Sequence, residues 1–290
     1  MKQIKLDFCD FWPSFKKTDN YFYRLLTRRY DVVVSDSPDY VIYSCFGREF
    51  RRHKCVRIFY SGENRRPALR ECDYAFTFDY VDNPRHYRLP LYALYHDPYD
   101  LVKAEDFDVE AILREKTRFC SFVFSNAYAP VRNRFFNKLS KYKRVDSGGR
   151  YLNNVGGPVG DKRAFVREHK FDISFENASY PGYTTEKLTQ PMQVHTVPIY
   201  WGNSLVQRDF NPRSFINYFE FGSEDELIEH IIRVDKDEGL YRQYLVQPHY
   251  NNNEVNEFVN PENVLGQFDR IFHDDVVPVA MQKRKRFIIF

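Results

Sequence analysis

The chain has 290 residues, 43% of them hydrophobic and 18% aromatic, with 27 Phe and 22 Tyr. That length accommodates two domains with separate cores, and a net charge of only +3 excludes a general nucleic-acid-binding surface. Its five cysteines (Cys9, Cys45, Cys55, Cys72, Cys120) are scattered without a C-x-x-C pair, which argues against a disulfide scaffold or a zinc site and for a reducing compartment.

The first hundred or so residues alternate strand-like and helix-like segments. Strands are expected at 4–8 (IKLDF), 30–36, 40–46, 56–62 (VRIFYSG) and 74–80, with a helix over 19–29. The charged run 101–117, LVKAEDFDVEAILREKT, reads as a partly helical linker. A second alternating block follows: a strand at 118–126, a helix at 130–142, a loop at 148–160 holding five of the twelve glycines, and a helix at 161–170. Further helices are expected at 223–237, where Ser223 and Glu226 form a capping box, at 239–246 and at 261–273. The pattern predicts an α/β protein with open, mostly parallel sheets, divided into residues 1–117, 118–275 and a basic tail, 276–290. The glycine-rich loop lacks G-K-[ST] and is not G-x-G-x-x-G, so by itself it is a weak signal for phosphate binding.

The richest stretch is FENASYPGYTTEKLTQPMQVHTVPIYWG, residues 175–202. An apolar strand, FDISF, ends at Glu176 and Asn177. A helix opens near Thr184, Thr185, Glu186 and Lys187, and the strand-like VPIYWG follows. Strand, polar loop, helix and strand make one βαβ unit. Such units bind ligands at strand carboxyl ends and helix amino ends, where an anion is favoured.

F-E-N, then five residues, then Y-x-T-E-K and V-P-I-Y-W-G ten residues on, resembles the signature of the α1,3/4-fucosyltransferases (glycosyltransferase family 10). FYSGEN (59–64), SFVFSNAYAPVRNRFF (121–136) and DFNPRSFIN (209–217) also resemble bacterial members. The resemblance implies a GT-B architecture, with two Rossmann-like domains facing each other across a cleft. The first domain is expected to bind the acceptor and the second GDP-fucose. The activity implied is inverting transfer of L-fucose to the 3-OH of GlcNAc or Glc in a Galβ1,4GlcNAc-type acceptor. Lewis X-type ends on a bacterial surface polysaccharide would result. Three alternatives stand beside it: α1,4 transfer to Galβ1,3GlcNAc, use of another nucleotide sugar, and a non-catalytic nucleotide- or glycan-binding protein on the same scaffold.

Single-displacement transfer needs a base at the acceptor hydroxyl and groups that stabilise the departing diphosphate. Glu63, just past the strand VRIFYSG, is the expected base, as the matching glutamate of relatives is proposed to be. Lys187, in the first turn of its helix, and Arg132, near a helix start after Pro130, match the diphosphate-binding cations of relatives. The resemblance assigns Glu186 to the ribose hydroxyls. Asn177 and Tyr183 are expected to line the donor pocket. Glu176 either touches fucose or pairs with Lys187, and Thr185 binds donor or caps the helix. Tyr200 and Trp201 are equally compatible with core and with ligand platform.

No metal is required on this reading: Asp106-Phe107-Asp108 is a D-x-D preceded by the wrong residues for a metal-binding strand, and Asp235 and Asp237 lie on a helix. Manganese or magnesium is expected at most to stimulate by neutralising released GDP. No apolar run reaches the ~20 residues of a membrane span, and the amino-terminal residues lack a secretory apolar core. The expected location is therefore cytoplasmic. Lys283, Arg284, Lys285 and Arg286 in the tail suggest peripheral contact with the inner face of the membrane, at about 1 kcal/mol per basic residue near an anionic leaflet.

Overall fold

The computed structural model describes residues 1–282. Short aromatic and β-branched runs, each closed by a turn or loop, become the strands of two parallel sheets. The first holds β1 (Gln3–Cys9), β2 (Asp31–Val34), β3 (Tyr40–Tyr43), β4 (Val56–Tyr60), β5 (Tyr74–Thr77) and β6 (His86–Arg88), in the order β2-β1-β3-β4-β5-β6. The second holds β7 (Arg118–Phe122), β8 (Val145–Ser147), β9 (His169–Phe175), β10 (Val197–Trp201) and β11 (Ile216–Asn217), in the order β11-β10-β9-β7-β8. Among the described residues every strand pairing within the two sheets is parallel, as in doubly wound proteins.

The helices are α1 (Tyr21–Leu26), α2 (Val109–Glu115), α3 (Pro130–Leu139), α4 (Lys162–Arg167), α5 (Glu186–Gln193), α6 (Glu224–Lys236), α7 (Glu238–Val246) and α8 (Pro261–His273). Their starts follow the side chains that cap them. Asn20, Asp108, Asp161, Thr185, Ser223, Asp237 and Asn260 each accept a backbone N–H of the first turn. Half of the capping box expected at Ser223 and Glu226 is present, with Glu226 N donating to Ser223 Oγ at 3.2 Å. The Glu226 carboxylate in turn accepts from Gly222 N at 3.0 Å, one residue before the cap.

The chain divides into two compact units: Met1–Leu94 with the described residues from Glu257 on, and Tyr95–Asn256. These limits differ from the boundaries at 117 and 275 expected from the sequence. The run 101–117 carries α2 and belongs with the second sheet, where Lys116 Nζ donates to Arg167 O and Val194 O. Helix α8 belongs with the first: Phe268 stacks on Phe76 of β5 at 4.8 Å and meets Phe22 of α1 at 6.1 Å. The opposite face of the first sheet is filled by Tyr43, Phe50, Phe59, Cys72 and Ala75. In the second unit Phe135, Phe171, Ile173, Phe175, Leu227, Ile231 and Tyr241 join α3, α6 and α7 to the sheet. Strands β6, β8 and β11 have no counterpart among the expected elements, and α1 is shorter than the helix expected over 19–29. All five cysteines are free thiols. Among the described residues no helix is long and apolar enough to cross a membrane. The basic run 283–286 lies outside the described residues.

Candidate active site

In the second sheet the chain leaves β7 to form β8 on one side, then returns past β7 to form β9 on the other. Neighbouring crossovers therefore diverge above the carboxyl ends of β7 and β9, which is where open α/β sheets bind ligands. Arg132 occupies this point. Helix α3 begins at Pro130, whose missing N–H costs nothing at a first helical position, and its third residue turns a wholly buried guanidinium inward. Nη2 donates to Asn126 O at 3.0 Å, on the exit from β7. Nη1 donates to Phe175 O at 3.3 Å and Asn177 Oδ1 at 3.1 Å, on the exit from β9. The group lies 3.8 Å from the Phe124 ring centroid. Burial pulls its pKa down to about 10 and the Glu176 carboxylate opposes that pull, so it stays charged at neutral pH. Nε has no partner among the described residues.

Glu176, fully buried at the end of β9, organises the start of α5. Its Oε1 accepts from Thr185 N at 2.7 Å, and both carboxylate oxygens accept from Thr185 Oγ1 at 3.0 and 2.8 Å. Lys187 Nζ lies 3.3 Å from Glu176 Oε2, 3.6 Å from Glu186 Oε1 and 3.0 Å from Thr185 Oγ1. Burial opposes the ammonium charge, but the two carboxylates outweigh it and hold the Lys187 pKa above its ordinary value. Glu186 Oε2 is buried and accepts no hydrogen bond among the described residues. The expected pairing of Glu176 with Lys187 and the expected cap at Thr185 are both present, and neither precludes contact with a ligand. Gly202 is required here, because a Cβ at this position would lie 2.4 Å from Glu176 Cγ.

Two further residues hold this loop. Asn203, fully buried just past β10, accepts from Gly182 N at 2.6 Å through Oδ1 and donates to Thr184 Oγ1 at 3.0 Å through Nδ2. Tyr200 Oη donates to Tyr183 O at 3.3 Å and accepts from Asn203 N at 3.1 Å. Tyr200 is thus core, and the Tyr183 side chain is buried beside it. Asn203 was missed from sequence because one amide after a strand has no periodicity to announce it. Its place directly after the V-P-I-Y-W-G run was the available signal. The glycine-rich loop meets the exit of β7: a Cβ on Gly149 would lie 1.9 Å from Phe124 O, so backbone packs on backbone.

Glu63 belongs to the first unit and is exposed at the carboxyl end of β4. Its loop is well fixed. Glu63 N donates to Ser61 Oγ at 3.1 Å, and a Cβ on Gly62 would lie 2.4 Å from Leu91 Cδ1. Three residues on, Arg66 Nε pairs with buried Asp79 at 2.8 Å. Three of the four acids raised as metal candidates have structural partners: Asp108 caps α2, Asp237 caps α7, and Asp235 pairs with Lys143 and Lys170. Among the described residues no group of three His, Cys, Asp or Glu could hold a metal ion. A separate cavity of about 360 Å³, lined by Pro212, Glu220, His230, Arg233 and Tyr244 among others, shares no residue with this site.

Two family models match. The FucT N-terminal domain of α-(1,3)-fucosyltransferase covers residues 6–95, and the C-terminal domain of glycosyltransferase family 10 (fucosyltransferase) covers residues 113–265. The α-(1,3)-fucosyltransferase FucT of Helicobacter pylori is 30% identical over 94% of this chain and 67% of its own length. GDP-fucose protein O-fucosyltransferase 3 of Mus musculus is 32% identical over 62% of this chain, which spans only 40% of that protein. A crystal structure of an α1,3-fucosyltransferase with GDP-fucose superposes with a TM-score of 0.82 at 28% identity, covering 95% of this chain and 92% of the other. With both units matched and a similar sequence running through almost all of it, the chain belongs to glycosyltransferase family 10, the fucosyltransferases.

Proposed function

We propose that this enzyme transfers L-fucose from GDP-fucose, with inversion, to the 3-OH of GlcNAc or Glc in a Galβ1,4GlcNAc-type acceptor. The supporting observation is the pair of cations at the end of the second sheet, Arg132 fully buried and Lys187 with its side chain 13% exposed. Arg132 sits at the switch point between β7 and β9, and Lys187 lies in the first turn of α5. A diphosphate leaving group is stabilised by such fixed positive charge in a site screened from water. The unpartnered Glu186 Oε2 suits a ribose hydroxyl donor, and Asn177 and Tyr183 complete the donor side.

In the step itself the acceptor oxygen forms a bond to fucose C1 while the bond from C1 to the β-phosphate oxygen breaks. GDP departs with that electron pair, and the hydroxyl proton passes to the Glu63 carboxylate. No bound metal is needed for this balance, because the two cations meet the charge that develops on the β-phosphate. Peripheral membrane contact through residues 283–286 and a cytoplasmic location are proposed from sequence alone. So are Lewis X-type products on a bacterial polysaccharide.

The test is GDP release from purified enzyme given GDP-fucose and either N-acetyllactosamine or its β1,3-linked isomer, with a chelator control. Acceptor-dependent release with the β1,4 isomer is expected, unchanged by chelator. Release only with the β1,3 isomer would move the linkage to α1,4. Tight GDP binding without release in either arm would remove the acceptor assignment.

A further inference from the structure

In the first unit most aromatic rings are withdrawn from water. Among the described residues of that unit, the only exposed large aromatic side chains are Trp12, at 38%, and Phe46, at 52%. Both sit at one place in the fold. Trp12 follows β1 and Phe46 follows β3, and the chain passes from β1 to β2 on one side and then back across β1 to β3. These strand ends flank the switch point of the first sheet, the counterpart of the position that Arg132 fills in the second.

Trp12 rests on a built support, and the Phe46 loop is tied to it through the backbone. Phe11 and Phe15 stack at 3.9 Å with planes 15° apart, and Trp12 meets both edge-on at 5.6 and 5.4 Å. Phe11 also lies 6.4 Å from Tyr60, the last residue of β4, in a near-parallel arrangement. The loop that carries Trp12 is tied by Asn20 Nδ2, which donates to Lys16 O and Lys17 O. It is tied to the Phe46 loop by Asp10. Asp10 O accepts from Phe46 N at 3.0 Å, and its carboxylate accepts from Glu49 N and Phe50 N at 2.9 and 2.8 Å. Asp10 adopts a φ of 60°, a conformation that Asp tolerates better than most residues. The platform is therefore fixed before any ligand arrives, which reduces the entropy lost on binding.

Glu63 follows β4, the neighbour of β3. With strands about 4.8 Å apart, the ends of β1 and β4 are separated by about 10 Å. An exposed carboxylate and two exposed rings thus occupy adjacent strand ends over a span suited to one or two sugar rings. A pyranose offers an apolar C–H face and a polar rim, and aromatic walls with a few polar groups are the usual lining for such a ligand.

We infer that Trp12 and Phe46 form the acceptor subsite, stacking on the apolar face of an uncharged hexose and presenting its hydroxyl to Glu63. This rests on the acceptor reading proposed above, and the experiment separates the two. The enzyme is loaded with GDP, and N-acetyllactosamine binding is read by saturation-transfer NMR for wild type, W12A, W12F and F46A. Acceptor KM and GDP-fucose KM are measured alongside.

Wild type should transfer saturation to the C–H protons of the sugar. W12A should lose that signal while keeping the GDP signal, and W12F should keep part of it. Where turnover is measurable, W12A and F46A should raise acceptor KM about tenfold or more and leave GDP-fucose KM within about twofold. Sugar binding without turnover would sink the transferase reading and leave the platform standing. An unchanged sugar signal in both alanine variants, or no sugar signal in wild type, would overturn the platform. So would self-association lost in W12A with sugar binding unaltered, because the rings would then serve a second copy of the chain. Far-UV circular dichroism and melting temperature of W12A and F46A, compared with wild type, separate loss of the platform from loss of the fold.

Discussion

Glu176 and Lys187 pair at 3.3 Å at the start of α5, and the same carboxylate also holds the capping residue Thr185 through its N–H and its hydroxyl. One buried acid therefore fixes both the entry of the helix and the position of its cation. Removing a single partner from such a pair costs about 3–5 kcal/mol, because the other charge is stranded. Lys187→Ala should lower stability by that order and weaken GDP binding. The neutral pair Glu176→Gln with Lys187→Met should regain most of the stability, but not the GDP affinity. Urea denaturation and GDP titration calorimetry check this. Recovery of GDP binding in the double variant would make Lys187 a structural residue only.

Arg132 is the corresponding element at the switch point. Its guanidinium reaches Asn126 O, Phe175 O and Asn177 Oδ1 together, a planar fork that a single ammonium cannot reproduce. Arg132→Lys should therefore behave unlike a conservative change. It should lose two of the three hydrogen bonds, at about 1.5–3 kcal/mol each for a charged donor, and lower kcat/KM for GDP-fucose by about 10² or more. A variant with wild-type melting temperature and kcat/KM would show that the positive charge alone is sufficient.

The βαβ unit over 175–202 was legible because three local signals coincide: an apolar strand, a Thr cap before Glu and Lys, and a second apolar strand. Arg132 was legible from its position after Pro130. What stayed hidden depends on contacts far apart in sequence. Helix α8 shows an amphipathic face through Val264, Leu265, Phe268 and Ile271, yet periodicity does not say which sheet that face covers. Phe22 and Phe76 decide it, and they lie 246 and 192 residues upstream of Phe268. Strand β9 read as apolar, but Asp172 and Ser174 form a buried polar face with Ser121 of β7, joined by hydrogen bonds at 2.7 and 2.8 Å. Trp12 was invisible for a simpler reason: exposure is what distinguishes it, and composition does not report exposure.

Asp235 gives stability a dependence on acid. It lies near the end of α6, where Lys170 and Lys143 each donate at 3.0 Å and Tyr142 Oη donates at 3.0 Å. Burial disfavours its charge, but the hydrogen bonds from Lys143 and Lys170 outweigh that and hold the carboxyl below the usual range. A carboxyl with a lowered folded pKa stabilises the protein above the unfolded pKa, and that contribution is lost as pH falls through the folded value. Asp235→Asn should therefore destabilise by about 2–3 kcal/mol at neutral pH. The gap from wild type should hold down to roughly pH 4, the ordinary carboxylate value, and close below it. Denaturation midpoints for both proteins between pH 3 and 7 test this, and a gap independent of pH would mean that charge at Asp235 is not what matters.

Glu63 provides the sharpest separation of chemistry from binding. Its side chain is exposed, whereas the loop beneath it is fixed by Ser61, Gly62 and the pair between Arg66 and Asp79. Substitution should therefore leave the fold intact. Glu63→Ala removes the only proton acceptor assigned to the attacking hydroxyl, and loss of a general base costs about 10²–10⁴ in rate. Glu63→Gln keeps size and hydrogen bonding but not basicity, and should fall equally far in kcat. GDP affinity should be unchanged in both, because the cations assigned to the diphosphate lie in the other unit. Single-turnover fucose transfer with saturating acceptor measures the chemical step directly. If the glutamine variant retained more than about a tenth of the wild-type rate, Glu63 would be positioning the acceptor through hydrogen bonds, and the base would have to be sought elsewhere.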